Sequence, residues 1–263
     1  MKHRLLTSLA LAAGIACGGM STASAAIVAD VAFVVDQSGS MGDEFSWLAN
    51  SISAINTSLI AGGVTARYGL AGYERFAGNE AGAPLNSKFV DFSSNINNVI
   101  NAIAPNNLYG SQERGYHAAE WATTGFSWGS NAAKVIILIT DEAADQSSGI
   151  TESALGQLMT NGDFLLNVIT EPFLYSQWDE AVYKVDNPDP TPDYLGLFSL
   201  ATLNSNPTQF TANFTAAKLK EIVDRCTADP TAPGCQNNVP EPGTLALLGL
   251  SLAGLAAMRR RKV

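Results

Sequence analysis

Three short, almost unbroken apolar runs limit this fold more than any other feature of the chain. Val31–Val35 ends at Asp36, Ala133–Thr140 ends at Asp141, and the third run covers Phe164–Ile169. Strands with little polar alternation are covered on both faces, as in a parallel sheet packed between helices. Ala66–Phe76 is extended and partly alternating, and Lys88–Phe92 is short and polar-flanked, as an edge strand is. Between these runs the spacing becomes helical. Leu48, Ile52, Ile55 and Leu59 share one helix face. Ile96, Val99, Ile100 and Ile103 share another, after a cap at Ser93 or Ser94. Leu155, Leu158 and Met159 mark a third helix, and Leu219, Ile222, Val223 and Cys226 a last one. A less regular helix from Glu113 to Thr124 carries Tyr116 and Trp121. Strands and helices alternating along one chain predict an α/β fold, a doubly wound, mostly parallel sheet with helices on both faces. From Glu171 to Asp193 the pattern breaks at Pro172, Pro188, Pro190 and Pro192. That stretch reads as an irregular insertion or long loop.

The two ends read as addresses, each an apolar segment of helical character. Residues 1–25 have the form of a secretory signal peptide: Lys2, His3 and Arg4, an apolar stretch from Leu5, and a small-residue cleavage site at Ala23-Ser24-Ala25. At the other end, Pro240-Glu241-Pro242 and Gly243 precede an apolar run, Thr244–Met258, closed by Arg259, Arg260, Arg261 and Lys262. At ~1.5 Å per residue that run spans about 22 Å, short of a ~30 Å hydrocarbon core. Its basic cluster would stay cytoplasmic and hold the body outside. Residues 239–262 resemble a PEP-CTERM sorting signal, with all three parts present in order. The resemblance implies recognition at Pro240, Glu241 and Pro242 by an exosortase-type processing enzyme. It also implies a transient inner-membrane intermediate, then delivery to the cell surface or extracellular matrix of a Gram-negative bacterium. A simple tail anchor would have the same topology.

Charge follows this division. Six of the 15 basic residues sit at the ends, whereas all but one of the 24 acids lie between them. So acidic a body repels phosphate backbones, which excludes nucleic acid as a partner and favours cations. Hydrophobic residues at 46% and charged residues at 15% exclude a disordered acidic chain. Cys17 leaves with the signal peptide. Cys226 and Cys235 remain, and an even count in an exported chain favours a disulfide between them, which closes a loop in the linker at 227–239. Two cysteines with one mature histidine, His117, do not make a zinc site, and His117 reads as a packed helical residue.

Asp36, Ser38 and Ser40 fall on the loop between the first strand and the first helix. A carboxylate and two hydroxyls at this spacing offer hard oxygens, which suit Mg²⁺, Ca²⁺ or Mn²⁺. Asp141 ends a second apolar strand and reaches the same rim, since ligands of open α/β sheets bind beyond the carboxyl ends of the strands. The bland reading of the loop is an Asx turn with a helix cap. The DxSGS loop, together with ILITDE at a later strand end, resembles a von Willebrand factor type A domain spanning 27–226. The resemblance implies a metal-ion-dependent adhesion site (MIDAS). Asp36, Ser38 and Ser40 would form its first loop and Asp141 its third. On the second loop Ser111 stands where the family usually has Thr, and Glu113 is the alternative ligand there. It further implies a non-enzymatic module holding a divalent cation, Mg²⁺ foremost, that captures a protein or matrix partner through its carboxylate. Two alternatives are a structural matrix protein whose metal stabilises the fold and a metal-assisted hydrolase. A hydrolase using Ser38 or Ser40 as nucleophile lacks a G-x-S-x-G elbow.

Overall fold

The first apolar run lies in the middle of a sheet. In the computed structural model, which describes residues 27–73, 86–103, 114–144, 149–182 and 196–235, β1 (Ile27–Asp36) pairs in parallel with β2 (Val64–Tyr73). The far edge of β2 pairs antiparallel with β3 (Asn86–Ser93), the edge strand expected from its polar flanks. On the other side of β1 come β4 (Ala133–Ile139), β5 (Phe164–Thr170) and β6 (Leu197–Ser199), all parallel. The order β3-β2-β1-β4-β5-β6 is that of a doubly wound α/β sheet.

Both faces are covered. Val31, Phe33 and Val35 of β1 pack with α1 (Gly42–Ala61) and α2 (Ile96–Ala102). Ala32 and Val34 point the other way, onto α3 (Gly115–Gly125) and α4 (Glu152–Gly162). α5 (Leu200–Ser205) and α6 (Pro207–Ala228) complete the first layer through Leu203, Phe210 and Phe214. Asn95 rather than Ser93 or Ser94 caps α2, its side chain accepting from the Asn97 N–H at 3.1 Å. Ser93 instead accepts from the Asn95 N–H and the Asn98 amide.

Elsewhere the structure departs from the sequence expectation. Pro172–Gln177 forms a 3-10 helix, and Trp178, Ala181 and Val182 behind it are buried in the second layer. The first half of the expected insertion is thus core, held by an aromatic anchor. Residues 183–195 lie outside the described ones, as do the expected signal peptide, the sorting motif and the expected apolar terminal segments. Among the described residues no helix is long and apolar enough to cross a membrane.

Cys226 and Cys235 are disulfide-bonded, with Cα atoms 5.0 Å apart. The turn they close is docked rather than a free linker. The Gly234 carbonyl accepts from the Val28 N–H at 3.1 Å, and a Cβ at Gly234 would lie 2.3 Å from backbone atoms of Val28 and Ala133. Its φ of +85° also favours glycine. Arg225 donates to the Pro233 carbonyl and pairs with Asp163. Reduction should lower unfolding stability by up to ~3 kcal/mol, from loop-closure entropy, measured by thermal unfolding with and without reductant. The turn sits at the amino ends of the strands, so binding at their carboxyl ends should survive reduction. Unchanged stability after complete reduction would show that the docked turn holds without its bond.

Candidate metal centre

The chain leaves β1 through α1 to β2 on one side, and the later strand β4 lies on the other. Loops at the carboxyl ends of β1 and β4 therefore part, and the crevice between them is where open α/β sheets bind ligands. Asp36 closes β1 in that crevice and is fully buried. Its Oδ1 accepts from the Ser38 N–H at 2.7 Å, and its Oδ2 accepts from the Thr140 hydroxyl at 2.9 Å. The hydroxyls of Ser38 and Ser40 are hydrogen-bonded at 3.1 Å, the first buried and the second exposed. Asp141 follows Thr140 at the crevice rim.

The electrostatics of the crevice favour positive charge. Burial pushes the Asp36 carboxyl up to about 7, against the lowering effect of its hydrogen bonds to Ser38 and Thr140, and the Asp141 carboxylate raises it further. One carboxylate oxygen of Asp141 is buried with no hydrogen-bond partner among the described residues. A buried acceptor with no donor is costly unless a cation or another donor meets it. Asp36, Asp141 and the paired hydroxyls thus fit a hard dication on donor chemistry. Among the described residues no three His, Cys, Asp or Glu side chains converge as a metal cluster, so a shell built from the described residues alone draws on hydroxyls as well.

Asp36, Ser38, Ser40 and Asp141 are brought to one crevice. Ser111 and Glu113 lie outside the described residues. His117 is half-buried on α3. Two neighbours are not apparent from the sequence. Thr140 reads there as the end of an apolar strand, yet its hydroxyl donates to Asp36 and accepts from the Glu142 N–H at 3.1 Å. Glu44 is buried in the first turn of α1, where its Oε1 accepts from the Asn204 amide at 3.0 Å and its Oε2 has no partner among the described residues. Burial raises its pKa, and the carboxylates of Asp141 and Asp43 add to this. Its spacing is the available signal, because Glu44, Leu48 and Ile52 fall at i, i+4 and i+8 on the core stripe.

Comparison with known proteins gives two family matches. The von Willebrand factor type A domain model matches residues 30–163, just over half the chain, and the PEP-CTERM protein-sorting motif matches 238–262. Among curated proteins none matches the chain. Of the solved structures, proximal thread matrix protein 1 (PTMP1) from the mussel byssus is similar, with TM-score 0.52 and 15% identity over 73% of this chain and 46% of that one. The pilus adhesin SpaC from Lactobacillus rhamnosus GG, in an open conformation, gives TM-score 0.48 and 14% identity over 75% of this chain and 30% of that one. The SpRpn10 VWA domain gives TM-score 0.46 and 13% identity over 65% and 87%. This chain thus spans less than half of the mussel protein, and at such identities the likeness concerns fold alone.

Proposed function

The chain belongs to the von Willebrand factor type A domain family, and from that premise we propose that it is an exported binding module of metal-ion-dependent adhesion type. The observation that carries this reading is the crevice between β1 and β4. There the Asp141 carboxylate lies close enough to raise the charge cost of Asp36, two hydroxyls pair, one carboxylate oxygen is buried without a partner among the described residues, and Asp36 is pushed up to about 7. Asp36 and Asp141 would supply charge to a divalent cation, and Ser38 and Ser40 neutral oxygens. Ser111 or Glu113 would complete the shell from the loop before α3. A bound dication offers an electrophilic position to an incoming carboxylate. Two carboxylates leave it close to neutral, so a partner's Asp or Glu is not repelled. Thr140 holds Asp36 in place through its hydroxyl. Among the described residues no base contacts Ser38, whose hydroxyl is turned to Ser40, which supports binding over nucleophilic chemistry.

The PEP-CTERM motif supports export and envelope sorting with exosortase processing, giving a membrane-held intermediate and then a surface or matrix location. The partner would be a protein or matrix component presenting a carboxylate.

Calorimetric titration with Mg²⁺, Ca²⁺ and Mn²⁺ tests the site. Wild-type protein should take up one cation, and Ser38→Ala should weaken uptake about tenfold or more, by analogy with lost metal-site contacts. Ser111→Ala should weaken uptake if Ser111 completes the shell, and Glu113→Gln should do so if Glu113 does. Capture of partners from matrix material should vanish with chelator. Cation uptake without chelator-sensitive capture would leave a metal that only stabilises the fold. No uptake by folded protein would reduce the loop to an Asx turn between Asp36 and Ser38.

A further inference from the structure

Away from the crevice, three polar side chains are sealed between β5 and α6. Asn167 lies mid-strand in β5 and is fully buried, while Lys218 and Glu221, one turn apart on α6, are 4% and 5% exposed. The Lys218 ammonium donates to both Asn167 Oδ1 and Glu221 Oε2. The Asn167 amide nitrogen donates to Glu221 Oε1 at 3.2 Å and to the Leu165 carbonyl at 3.2 Å. The rings of Phe198 and Phe214 flank Nζ at 4.9 and 5.9 Å from their centroids.

We propose that Lys218 and Asn167 become joined by an intramolecular amide bond, with Glu221 carrying the protons. Three features of the cluster serve that reaction. The attacking nitrogen touches the amide oxygen, one bond from the carbon it must reach. One carboxylate bridges the attacking amine and the leaving amide nitrogen, through different oxygens. Burial lowers the pKa of Lys218, against the raising effect of Glu221, and so favours the nucleophilic neutral amine.

The reaction balances without any co-reactant. Glu221 takes one proton from the Lys218 ammonium, and the neutral Nζ adds to Cγ of Asn167. Glu221 returns that proton to the amide nitrogen, whose bond to Cγ breaks and which leaves as ammonia. The second excess proton on Nζ passes to Glu221, and the new amide remains. The starting ion pair is buried at a desolvation cost, whereas the product holds a neutral amide and a neutral acid. The bond ties the last helix to the sheet.

Mass spectrometry of the full-length protein purified from its exporting host, as processed there, decides the matter. After allowance for terminal processing and the disulfide, the mass should fall short by one ammonia, about 17 Da. Proteolysis should release a branched peptide joining Asn167 to Lys218. Glu221→Gln cannot shuttle protons and should give the unlinked mass with separate linear peptides. Linear wild-type peptides carrying intact Asn167 and Lys218 would overturn the bond, whether or not the variant folds. A linked Glu221→Gln protein would overturn the role given to Glu221.

Discussion

Replacing Asp36 with Asn should abolish divalent-cation uptake and yet stabilise the cation-free domain above pH 7. The two effects have one source. The Asp36 carboxyl is raised from 3.8 to about 7, chiefly by burial, so the folded protein binds this proton more tightly than the unfolded chain does. Stability therefore falls as pH rises from 3.8 to about 7, and above that range the full penalty stands, up to about 4 kcal/mol. A cation removes that penalty by pairing with the carboxylate. An amide at position 36 does not titrate, so the variant carries no such penalty at any pH. Its oxygen keeps the bond from the Ser38 N–H, while the bond to Thr140 reverses, the amide NH₂ donating to the hydroxyl that donates to the wild-type carboxylate. In chelator at about pH 8 the variant should be the more stable protein, and near pH 4 the two should converge. With excess Mg²⁺ only wild type should gain stability. Denaturant unfolding at both pH values, beside calorimetric titration, measures all three. A variant less stable than wild type in chelator at the higher pH would mean that the ionised Asp36 carboxylate holds the loop through its bonds to Ser38 and Thr140 and carries no net burial penalty.

How far such a site is legible depends on what surrounds each residue. Asp36 and Asp141 stand out because each ends an apolar run, where the chain leaves the sheet. Ser38 and Ser40 stand out because they precede a helix with a clean apolar stripe. Thr140 is hidden by the same logic: a β-branched residue closing a strand looks like strand, and only the Asp36 contact reveals its use. The helix α6 reaches back to Pro207, well before the stripe that announces it. Its buried face includes Thr215, Lys218, Glu221 and Arg225, and polar residues on the inner face erase an amphipathic signal. With three residues in β6 and six in α5, neither is long enough to express a period. The prolines after Glu171 suggest an irregular loop, but Trp178 converts its first half into core. Proline starts the 3-10 turn and a single large ring supplies the burial, so no repeat is needed.

That ring carries the largest expected loss of stability. Trp178→Ala should cost ~3–5 kcal/mol, the range for truncating a buried large aromatic. The indole is fully buried and meets the Tyr116 ring edge-on, with centroids 4.9 Å apart. It also lies where Gly115 has no side chain, since a Cβ there would come within 2.9 Å of it. The helix α3 and the 3-10 turn are thus shaped around one side chain, and little nearby can move to fill the space. The effect extends to the crevice. Tyr116 donates its hydroxyl to the Gln177 carbonyl, and the Gln177 side chain accepts from the Ala144 N–H at 2.8 Å. Gln177 thereby holds the loop that begins at Asp141. Trp178→Ala should lower cation affinity as well as stability, whereas Trp178→Phe should lose less of both. Phe keeps a ring against Tyr116 and removes an indole N–H that has no hydrogen-bond partner among the described residues. Denaturant unfolding of the two variants, with titration under conditions where both remain folded, separates packing from positioning. A loss below about 0.5 kcal/mol for Ala, within the range of surface substitutions, would show that the segment after Glu171 is not core. A full loss of stability with unchanged affinity would show that the Asp141 loop is held without Gln177.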